Sequence, residues 1–570
     1  MRVRKHHREK KRQKGQYMTP RVLSRRIMST IEISDYSRIL EPSFGDGSFL
    51  DAVLQQKTPQ SESSTIDQEI VGIEIDPELA AQCVARLSTI ETEAQSATLY
   101  LYQMDFFHAY LQRALVNGRE QAKNQPLGTF DLILGNPPFG GTFDHAIEDD
   151  LDATLGKRLG LKIKKETYSF FIVACIDLLR QDGRLLFVCS DTLLTIPTMK
   201  GLRQYLMESG NVTITSLESF SEETTYPMVL LDFVKTNKPG YIIRDGKELE
   251  YSVIQSTPNL SWGITDETAA LFNGPLMSEY FVASSGMTTG KNEYFVREVT
   301  QSGSLQELYE FVFYEAPVSV EYERERARLG KLPAKRIREL SKAEQRGDTE
   351  VRLKVTPLAT RKTVALPCSD YKPYNKANSK IIFSEPTHYI YWKDDGRAVL
   401  TYKRTGNWYL RGVGGRPFFE QEAVTWQLVA SRFVPRFLPE GYILDSGAPC
   451  AFVKEGVDRD ELFFALGWLL SPLATKILKT VINHTRNIQS KDFERMPYPW
   501  WLDQGKKSRV ISTVRSMIQA AKNGRTWNQN DPEVLALGSM FEPSENITQA
   551  TIQAVQTAKR RQPVEEYLFT

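Results

Sequence analysis

The sequence predicts an α/β protein in which a doubly wound parallel sheet precedes a mixed, mostly β or α+β domain. Three observations support this fold class. Short apolar runs alternate with longer helical stretches between residues 36 and 237, and a glycine turn separates the first apolar run from the first helical stretch. Beyond the polar segment 235–240, the strand candidates become shorter and the regular alternation ends. Alternation of this kind is typical of parallel sheets covered by helices on both faces.

The elements of the first part follow from these runs. The strand candidates are residues 37–44, 69–75, 97–106, 130–136, 183–190 and 228–235. The helix candidates are Gly47–Gln56, Pro77–Thr89 and Tyr168–Arg180. In the second part, short aromatic strand candidates recur at 293–296, 388–392 and 407–412, and an amphipathic helical run covers 460–484. The last seventy residues are predicted to be helical and polar.

The charge of the chain is unevenly distributed. The 570 residues carry 72 Lys and Arg against 70 Asp and Glu, a net charge of +2. Residues 1–14 alone contain eight Lys or Arg and one Glu, so the remaining chain has a net charge of −5. An arm this dense in like charge is predicted to be disordered when free. It is either a solubilising tail or an arm that contacts phosphates, where neutralisation releases condensed counterions.

Composition excludes several classes of protein. With 41% hydrophobic and 25% charged residues, the chain is neither collagen-like, nor a coiled coil, nor wholly disordered. The five cysteines are far apart, without a CxxC pair, so neither a disulfide framework nor a structural zinc site is expected. The sequence has no signal-peptide pattern and no run of 18 apolar residues. We therefore expect a soluble intracellular protein without a membrane partner or a metal.

The first motif is ILEPSFGDGSFLDAV at 39–53, in which a strand end leads through Gly45-x-Gly47 into a helix. Glycines here allow a tight turn and close approach of the backbone to a ligand. The motif is neither GxGxxG nor GxxxxGK[ST], so NAD and ATP are not favoured. Glu41, ahead of the glycines, would repel a pyrophosphate and instead suits a ligand with a positive charge.

Two further strand ends carry acidic residues. Glu74, at the end of the second strand, is placed to accept hydrogen bonds from ribose hydroxyls, or it is a solvated strand-end charge. Asp105, at the third strand end, could accept from an adenine amino group, with Ile75 and Phe106 on the two faces of the purine. Together with the first motif, these residues describe a pocket for a cationic adenosyl ligand, which points to S-adenosylmethionine.

The fourth motif is FDLILGNPPFGG at 130–141, where Asn136-Pro137-Pro138-Phe139 directly follows an apolar strand. Consecutive prolines fix φ and remove backbone donors. The Asn136 side-chain oxygen and the Pro137 carbonyl can both accept from one planar amino group, and Phe139 offers a ring for stacking. Such a site suits methylation of a weakly nucleophilic conjugated amine, because the proton can leave after the methyl group has arrived.

The order of these motifs resembles the γ-class DNA amino-methyltransferases of the Taq type, from bacterial restriction–modification systems. The resemblance covers about residues 15–235 and includes GQYMTP at 15–20. It implies a Rossmann-like, S-adenosylmethionine-dependent methyltransferase that acts on adenine N6. The cofactor residues that it implies are Tyr17, Thr19, Pro20, Glu41, Pro42, Ser43, Gly45, Gly47, Glu74, Ile75, Asp105 and Phe106.

The resemblance also implies catalytic and base-packing residues. Asn136, Pro137, Pro138 and Phe139 would be the catalytic tetrapeptide, although the family usually has Tyr at the fourth position. The aromatic residue that packs against the extruded base would be Phe220, with Tyr226 as the alternative. The implied domains are a basic arm at 1–14, a catalytic domain at 15–240, a target-recognition domain at 241–500 and a helical tail at 501–570.

The implied substrate is double-stranded DNA, and a base inside a duplex must be flipped out before chemistry can occur. Besides the arm, two segments are candidates for DNA contact: residues 324–362, with a net charge of +8, and the aromatic and basic stretch 389–416. Either could instead have a structural role, as a solvated helix and as core aromatics respectively. We further expect that a cognate restriction endonuclease is encoded separately and that the protein is a monomer. Its expected location is cytoplasmic and nucleoid-associated, in a bacterium or archaeon.

Other functions remain open at this stage. The same NPP[YF] signature occurs in methyltransferases of glutamine side chains, which are much shorter, and in those of ribosomal RNA amines. Basic arms and interspersed aromatics also suit RNA. A non-catalytic DNA-binding subunit of a defence complex is a further alternative. A bifunctional restriction endonuclease is not favoured, because we find no PD…(D/E)xK arrangement after residue 500 and the cofactor motifs begin by residue 16.

Overall fold

A computed structural model describes residues 18–56, 68–88, 97–115, 125–138, 145–156, 167–217, 227–317, 351–360, 362–406 and 413–544. The described residues divide into two compact units. The first unit contains the residues up to Ala270 together with Thr480–His484. The second unit contains Leu271–Lys479 and the described residues that follow Thr485.

The first unit is built on a nine-stranded sheet with the order β11-β10-β8-β9-β7-β6-β1-β2-β3. Its strands are β1 (Arg38–Glu41), β2 (Gln68–Glu74), β3 (Ala97–Gln103), β6 (Phe130–Gly135), β7 (Leu179–Ser190), β8 (Gly210–Leu217), β9 (Met228–Lys235), β10 (Ile242–Arg244) and β11 (Lys247–Glu248). Strands β3, β2, β1, β6 and β7 are parallel, whereas β9 lies antiparallel to both β7 and β8. The short strands β4 (Ala114–Leu115) and β5 (Gln125–Pro126) pair with each other outside this sheet.

Helices connect these strands. They are α1 (Arg21–Met28), α2 (Ser48–Gln55), α3 (Pro77–Leu87), α4 (Phe106–Gln112), α5 (His145–Leu151), α6 (Thr167–Leu178), α7 (Thr192–Thr195), α8 (Lys200–Ser209), α9 (Tyr251–Gln255) and α10 (Asp266–Ala269). One apolar cluster joins Ile27 of α1 and Phe49 of α2 to Ile39 and Leu132 of the central strands. Burial of this cluster fixes the first two helices against the middle of the sheet, beside the first glycine turn.

The strand order reverses between β1 and β6, which are neighbours in the sheet although four strands separate them in sequence. In open α/β sheets, ligands bind outside the carboxyl ends of the strands at such a switch point. The glycine turn follows β1, and Asn136 follows β6 directly. The predicted doubly wound α/β fold is therefore confirmed, and the predicted motifs lie at the edge where this fold binds its ligands.

The second unit contains several small sheets and a set of helices. Its strands are β12 (Phe281–Ser284), β13 (Val296–Glu298), β14 (Ser304–Leu305), β15 (Tyr309–Pro317), β16 (Val351–Ala359), β17 (Val364–Ala365), β18 (Tyr371–Asn375), β19 (His388–Tyr391), β20 (Ala423–Thr425), β21 (Arg436–Leu438), β22 (Ile443–Leu444) and β23 (Cys450–Val453). They form two four-stranded sheets, β12-β23-β20-β21 and β13-β19-β18-β22, and two-stranded pairs. This mixed architecture is the one predicted for the second part.

The helices of the second unit concentrate toward its C-terminal part. They are α11 (Met277–Tyr280), α12 (Asn292–Phe295), α13 (Lys393–Gly406), α14 (Glu461–Leu470), α15 (Pro472–Ile477), α16 (Ser490–Glu494), α17 (Gln504–Lys522) and α18 (Pro532–Ser539). The predicted helical run 460–484 is broken at Ser471, which caps α15. In the part of the chain that the structure describes, no single helix has the length and apolarity of a membrane span; α14 with the bent continuation to Ile482 meets that test only as a pair.

Some elements differ from the expectation. Strand β7 begins at Leu179, where a helix was predicted to continue to Arg180, and β8 was not predicted. Residues 293–295, predicted as a strand, form the short helix α12. The sheet also continues past residue 240, because β10 pairs in parallel with β8 and β11 pairs with β10. Residues 1–17, most of 324–362, and 407–412 lie outside the described residues.

Candidate active site

The glycine turn after β1 has a backbone that favours glycine at two positions. Gly45 has φ +53° and Gly47 has φ +75°, both in the left-handed region. A Cβ on Gly45 would lie 3.1 Å from the Met18 sulfur, and a Cβ on Gly47 would overlap Cys83 Sγ. The Gly47 amide donates to the Phe44 carbonyl at 2.6 Å, which closes the turn. The turn can therefore present its backbone closely to a ligand.

Glu74 joins the end of β2 to this turn. Its Oε2 accepts from the backbone N–H of Gly45 at 2.9 Å, and its Oε1 accepts from the N–H of Asp76 at 2.8 Å. The side chain is buried, and burial raises its pKa above the ordinary value despite these donors. The residue predicted to hold the ribose thus also braces the glycine turn.

Glu41 is a buried acid behind the turn. Only 2% of its surface is exposed, and among the described residues its Oε2 has no hydrogen-bond partner. Burial, reinforced by the nearby negative charge of Asp46, raises the pKa of Glu41 well above its ordinary value. A buried carboxylate oxygen without a donor is costly, and a cationic ligand would offset that cost. The chemistry of this buried acid therefore fits the cationic cofactor that the sequence predicts.

The predicted adenine-binding residues occupy different environments. Ile75 is 56% exposed just beyond the end of β2, so its apolar side chain is accessible. Asp105 caps α4, where its Oδ1 accepts from the N–H groups of Phe107 and His108. Phe106 is buried and its ring stacks on Phe171 with centroids 4.8 Å apart. Its ring thus takes part in the core, whereas Ile75 presents an open apolar surface.

Asn136 lies where β6 ends and is connected to two of the other motifs. Its amide Nδ2 donates to Thr19 Oγ1 at 3.1 Å. Its backbone carbonyl accepts from Ser43 Oγ of the glycine-turn segment at 3.5 Å. Pro137, next in the chain, is buried, and Pro138 is half-buried. The structure thus brings together the opening motif, the cofactor turn and the first residue of the predicted catalytic tetrapeptide.

The remaining predicted residues are placed as follows. Pro20 precedes α1 as its N-cap, and Pro42 is buried within the first motif. Tyr17, Phe139, Phe220 and Tyr226 lie outside the described residues. Within the described residues, no group of three or more His, Cys, Asp or Glu side chains is arranged to hold a metal.

Sequence reasoning missed two residues that contact the turn. Arg86, on α3, donates from Nη2 to the Gly47 carbonyl at 2.7 Å, so it is a second side chain, besides Glu74, that holds the turn. Met18 lies over Gly45. The GQYMTP motif pointed to Met18 through its neighbours, whereas no local signal distinguishes Arg86 from the other helical arginines.

The part of the chain that contains this site is similar to known DNA methylases and methyltransferases. Residues 2–240 match the family model described as N-6 DNA Methylase. The chain is 27% identical over 236 residues to the Type I restriction enzyme EcoEI methylase subunit of Escherichia coli, covering 39% of this chain and 42% of that protein. It is 28% identical over 230 residues to the Type II methyltransferase M.TthHB8I of Thermus thermophilus, covering 39% of this chain and 46% of that protein. The matches thus span less than half the length of these curated relatives.

A solved structure extends the similarity of fold to most of the chain. A chain of the cryoEM structure of the DrdV–DNA complex aligns with 92% of this chain and 60% of its own length, at a TM-score of 0.51 and 14% identity. At this identity the alignment supports the fold alone. The resemblance to the N6-adenine DNA methyltransferases of restriction–modification systems is confirmed, through the family match, for residues 2–240.

Proposed function

We propose that the protein is a site-specific DNA methyltransferase that transfers the methyl group of S-adenosylmethionine to adenine N6. The observation that carries the proposal is the meeting of the cofactor turn and the Asn-Pro-Pro segment at the switch point, through Ser43 and Asn136. The family match over residues 2–240 supports the same activity. The residues assigned to cofactor, base and catalysis are part of this proposal.

The cofactor pocket would be formed by the glycine turn with Glu41, Glu74 and Ile75. Glu41 offers a buried carboxyl group whose ionised form a cation would stabilise, and Ile75 offers an exposed apolar surface to a purine. Glu74 would hold the ribose while it braces the Gly45 amide. When bound, S-adenosylmethionine supplies an electrophilic methyl group on a positively charged sulfur.

The chain's own residues would hold and orient the target amine. The side-chain oxygen of Asn136 and the carbonyl of Pro137 are the acceptors for the two hydrogens of an exocyclic amino group, and Phe139 would stack on the base. Two acceptors draw the nitrogen lone pair out of conjugation, so that it can attack without a strong base. The proton leaves the nitrogen after the new bond has formed.

The proposed substrate is duplex DNA. Flipping one adenine out of a duplex costs about a few kcal/mol, and phosphate contacts elsewhere must offset that cost. The arm at 1–14 and the basic run 324–362 carry the positive charge for such contacts. We assign catalysis to residues 15–240, target recognition to 241–500 and a helical tail to 501–570 in a monomer that works beside a separately encoded endonuclease. A cytoplasmic, nucleoid-associated location in a bacterium or archaeon is part of the same proposal.

The purified chain should be incubated with isotopically labelled S-adenosylmethionine and bacterial genomic DNA, and the nucleosides quantified by mass spectrometry. We expect label in N6-methyladenine. Asn136→Ala should abolish the transfer while binding the cofactor with nearly the parent affinity. Asn237→Ala, which removes an exposed amide beyond the end of β9, is the matched control and should transfer at the parent rate.

Each other result points to a different function. Label in another base would contradict the adenine assignment. Transfer to ribosomal RNA but not to DNA would favour the RNA methyltransferase. Absence of transfer to either nucleic acid, with intact DNA binding, would favour a non-catalytic subunit of a defence complex.

A further inference from the structure

A buried contact links two motifs that lie 117 residues apart in sequence. Asn136 Nδ2 donates to Thr19 Oγ1 at 3.1 Å, and the Thr19 side chain is buried. Thr19 belongs to the opening motif, for which the sequence predicts only a contact with the cofactor. The hydrogen bond to the proposed catalytic amide is a separate relationship.

Thr19 is held in place independently of Asn136. It directly precedes Pro20, the N-cap of α1, and in this helix Ser24 Oγ donates to the Ser48 carbonyl at the start of α2 at 2.9 Å. The neighbouring Met18 packs over Gly45. The Thr19 hydroxyl is therefore fixed relative to the glycine turn and can orient the side chain that donates to it.

The orientation of a carboxamide matters because its oxygen accepts hydrogen bonds whereas its nitrogen donates them. Only the oxygen can accept a hydrogen from an exocyclic amine, and a rotation of 180° about the last side-chain bond exchanges the two atoms. Because Thr19 engages the Nδ2 of Asn136, the Oδ1 is turned to the opposite side. Loss of this contact would remove an acceptor that favours the one orientation able to hold the substrate.

We propose that Thr19 is a positioning residue that sets the orientation of the Asn136 amide, in addition to any contact with the cofactor. The inference rests on the proposed methyl transfer. It makes the segment 18–20 a link between the cofactor turn and the catalytic amide, because the same short segment contacts Gly45 and Asn136.

The test uses Thr19→Val, which keeps the shape of the side chain but removes the hydroxyl, and Thr19→Ser, which keeps the hydroxyl. Single-turnover rates at saturating DNA and S-adenosylmethionine are measured beside the cofactor Kd from calorimetry. Loss of one hydrogen bond of about 1–1.4 kcal/mol predicts a rate lowered about fivefold to tenfold in Thr19→Val, with the cofactor Kd within about threefold of the parent value. Thr19→Ser should restore the rate to within about twofold of the parent value.

Two further variants serve as a control and as a replacement for Thr19→Val. Thr30→Val, at an exposed residue just after α1, removes a hydroxyl that donates to the Ile27 carbonyl and should leave rate and affinity unchanged. Thr19→Ala replaces Thr19→Val if thermal melting shows that the latter does not fold. An unchanged rate in the hydroxyl-free variant overturns the inference, as does a cofactor affinity that falls while the saturated rate stays constant. A parent protein without methyl transfer contradicts the proposed function instead.

Discussion

The Glu74 carboxylate accepts a hydrogen bond from the backbone N–H of Gly45 at 2.9 Å. This contact joins the carboxyl end of β2 to the turn that follows the neighbouring strand β1. Its second oxygen accepts from Asp76, so both oxygens of one side chain are held by the backbone. One acidic residue therefore stabilises the shape of the glycine turn.

Replacement of Glu74 tests this double role. Glu74→Ala removes two charge-assisted hydrogen bonds and the proposed ribose ligand, so the cofactor Kd should rise by about tenfold to a hundredfold, which corresponds to about 1.5–3 kcal/mol. Calorimetric titration with S-adenosylmethionine measures the change. Glu78→Ala, at an exposed position in the first turn of α3, is the control. Equal affinities of the Glu74 and Glu78 variants would contradict the assignment.

The glycine turn allows a prediction about stability. Gly47 and Gly246 have similar φ angles of +75° and +78°, but only the Gly47 Cβ position meets neighbouring atoms, whereas Gly246 faces open space. Gly246→Ala should cost about 1 kcal/mol of unfolding free energy from backbone strain alone. Gly47→Ala adds overlap with Cys83 and should cost about 1–3 kcal/mol more. Urea unfolding gives both values, and equal losses would show that the turn is less tightly packed than the structure indicates.

The buried acid Glu41 predicts a pH dependence of stability. Its folded-state pKa is raised well above 4.5, so its contribution to stability is fully present below its unfolded-state pKa and is lost as pH rises through the raised value. Glu41→Gln cannot ionise. Without cofactor, the unfolding free energy of this variant relative to the parent should therefore increase as the pH rises from 4.5 to 8, which thermal melting at each pH measures. Parallel curves across this range would refute the prediction.

Arg203 provides a prediction about the region after β7. Its buried guanidinium donates to the backbone carbonyls of Leu193, Ile196, Asn259 and Leu260. Arg203→Met would leave these carbonyls buried without a donor, and we expect a loss of about 3–5 kcal/mol in unfolding free energy. Arg26→Met on the exposed face of α1 should change stability by less than about 0.5 kcal/mol. Chemical denaturation gives the unfolding free energy of both variants. A small loss of unfolding free energy in Arg203→Met would contradict this anchoring role.

The N-terminal arm should control the salt dependence of DNA binding. Residues 1–14 contain eight Lys or Arg, so replacing all eight by Gln should flatten the slope of log K against log salt by up to about 7 if every charge meets a phosphate. Fluorescence anisotropy at several salt concentrations measures the slope. The substituted arm keeps its length, so a change in the slope can be attributed to the lost charge and not to a lost segment of chain. An unchanged slope would return the arm to the role of a solubilising tail.

Sequence alone was sufficient where the signal is local. Apolar strand patterns and the residues that follow them placed Glu41, Glu74 and Asn136 at strand ends, and parallel pairing brings such ends to one edge of a sheet. The bounds predicted for β9, residues 228–235, agree with the structure. The strand β8 was missed although its alternating buried Val212 and Ile214 carry the period-two pattern of a strand.

Contacts between distant segments were not predictable in the same way. Nothing in the sequence near Thr19 indicates that it contacts Asn136, 117 residues away. That contact depends on how α1 packs against α2, which is a tertiary arrangement. The place of Phe106 beside Asp105 predicts that it faces the adenine, and this stays a prediction; its ring stacks on Phe171, a contact that nothing in the local sequence indicates. Adjacency in sequence fixes where a backbone lies, whereas the surrounding side chains decide which way a ring points.

The most direct test of the central claim is sequencing of modified bases in DNA from cells that express this chain, beside cells that express Asn136→Ala. We predict N6-methyladenine at one short sequence motif in the first sample and at no new motif in the second. Methylation of a different base, or an identical pattern in both samples, would contradict the assignment of Asn136 to adenine N6 methylation.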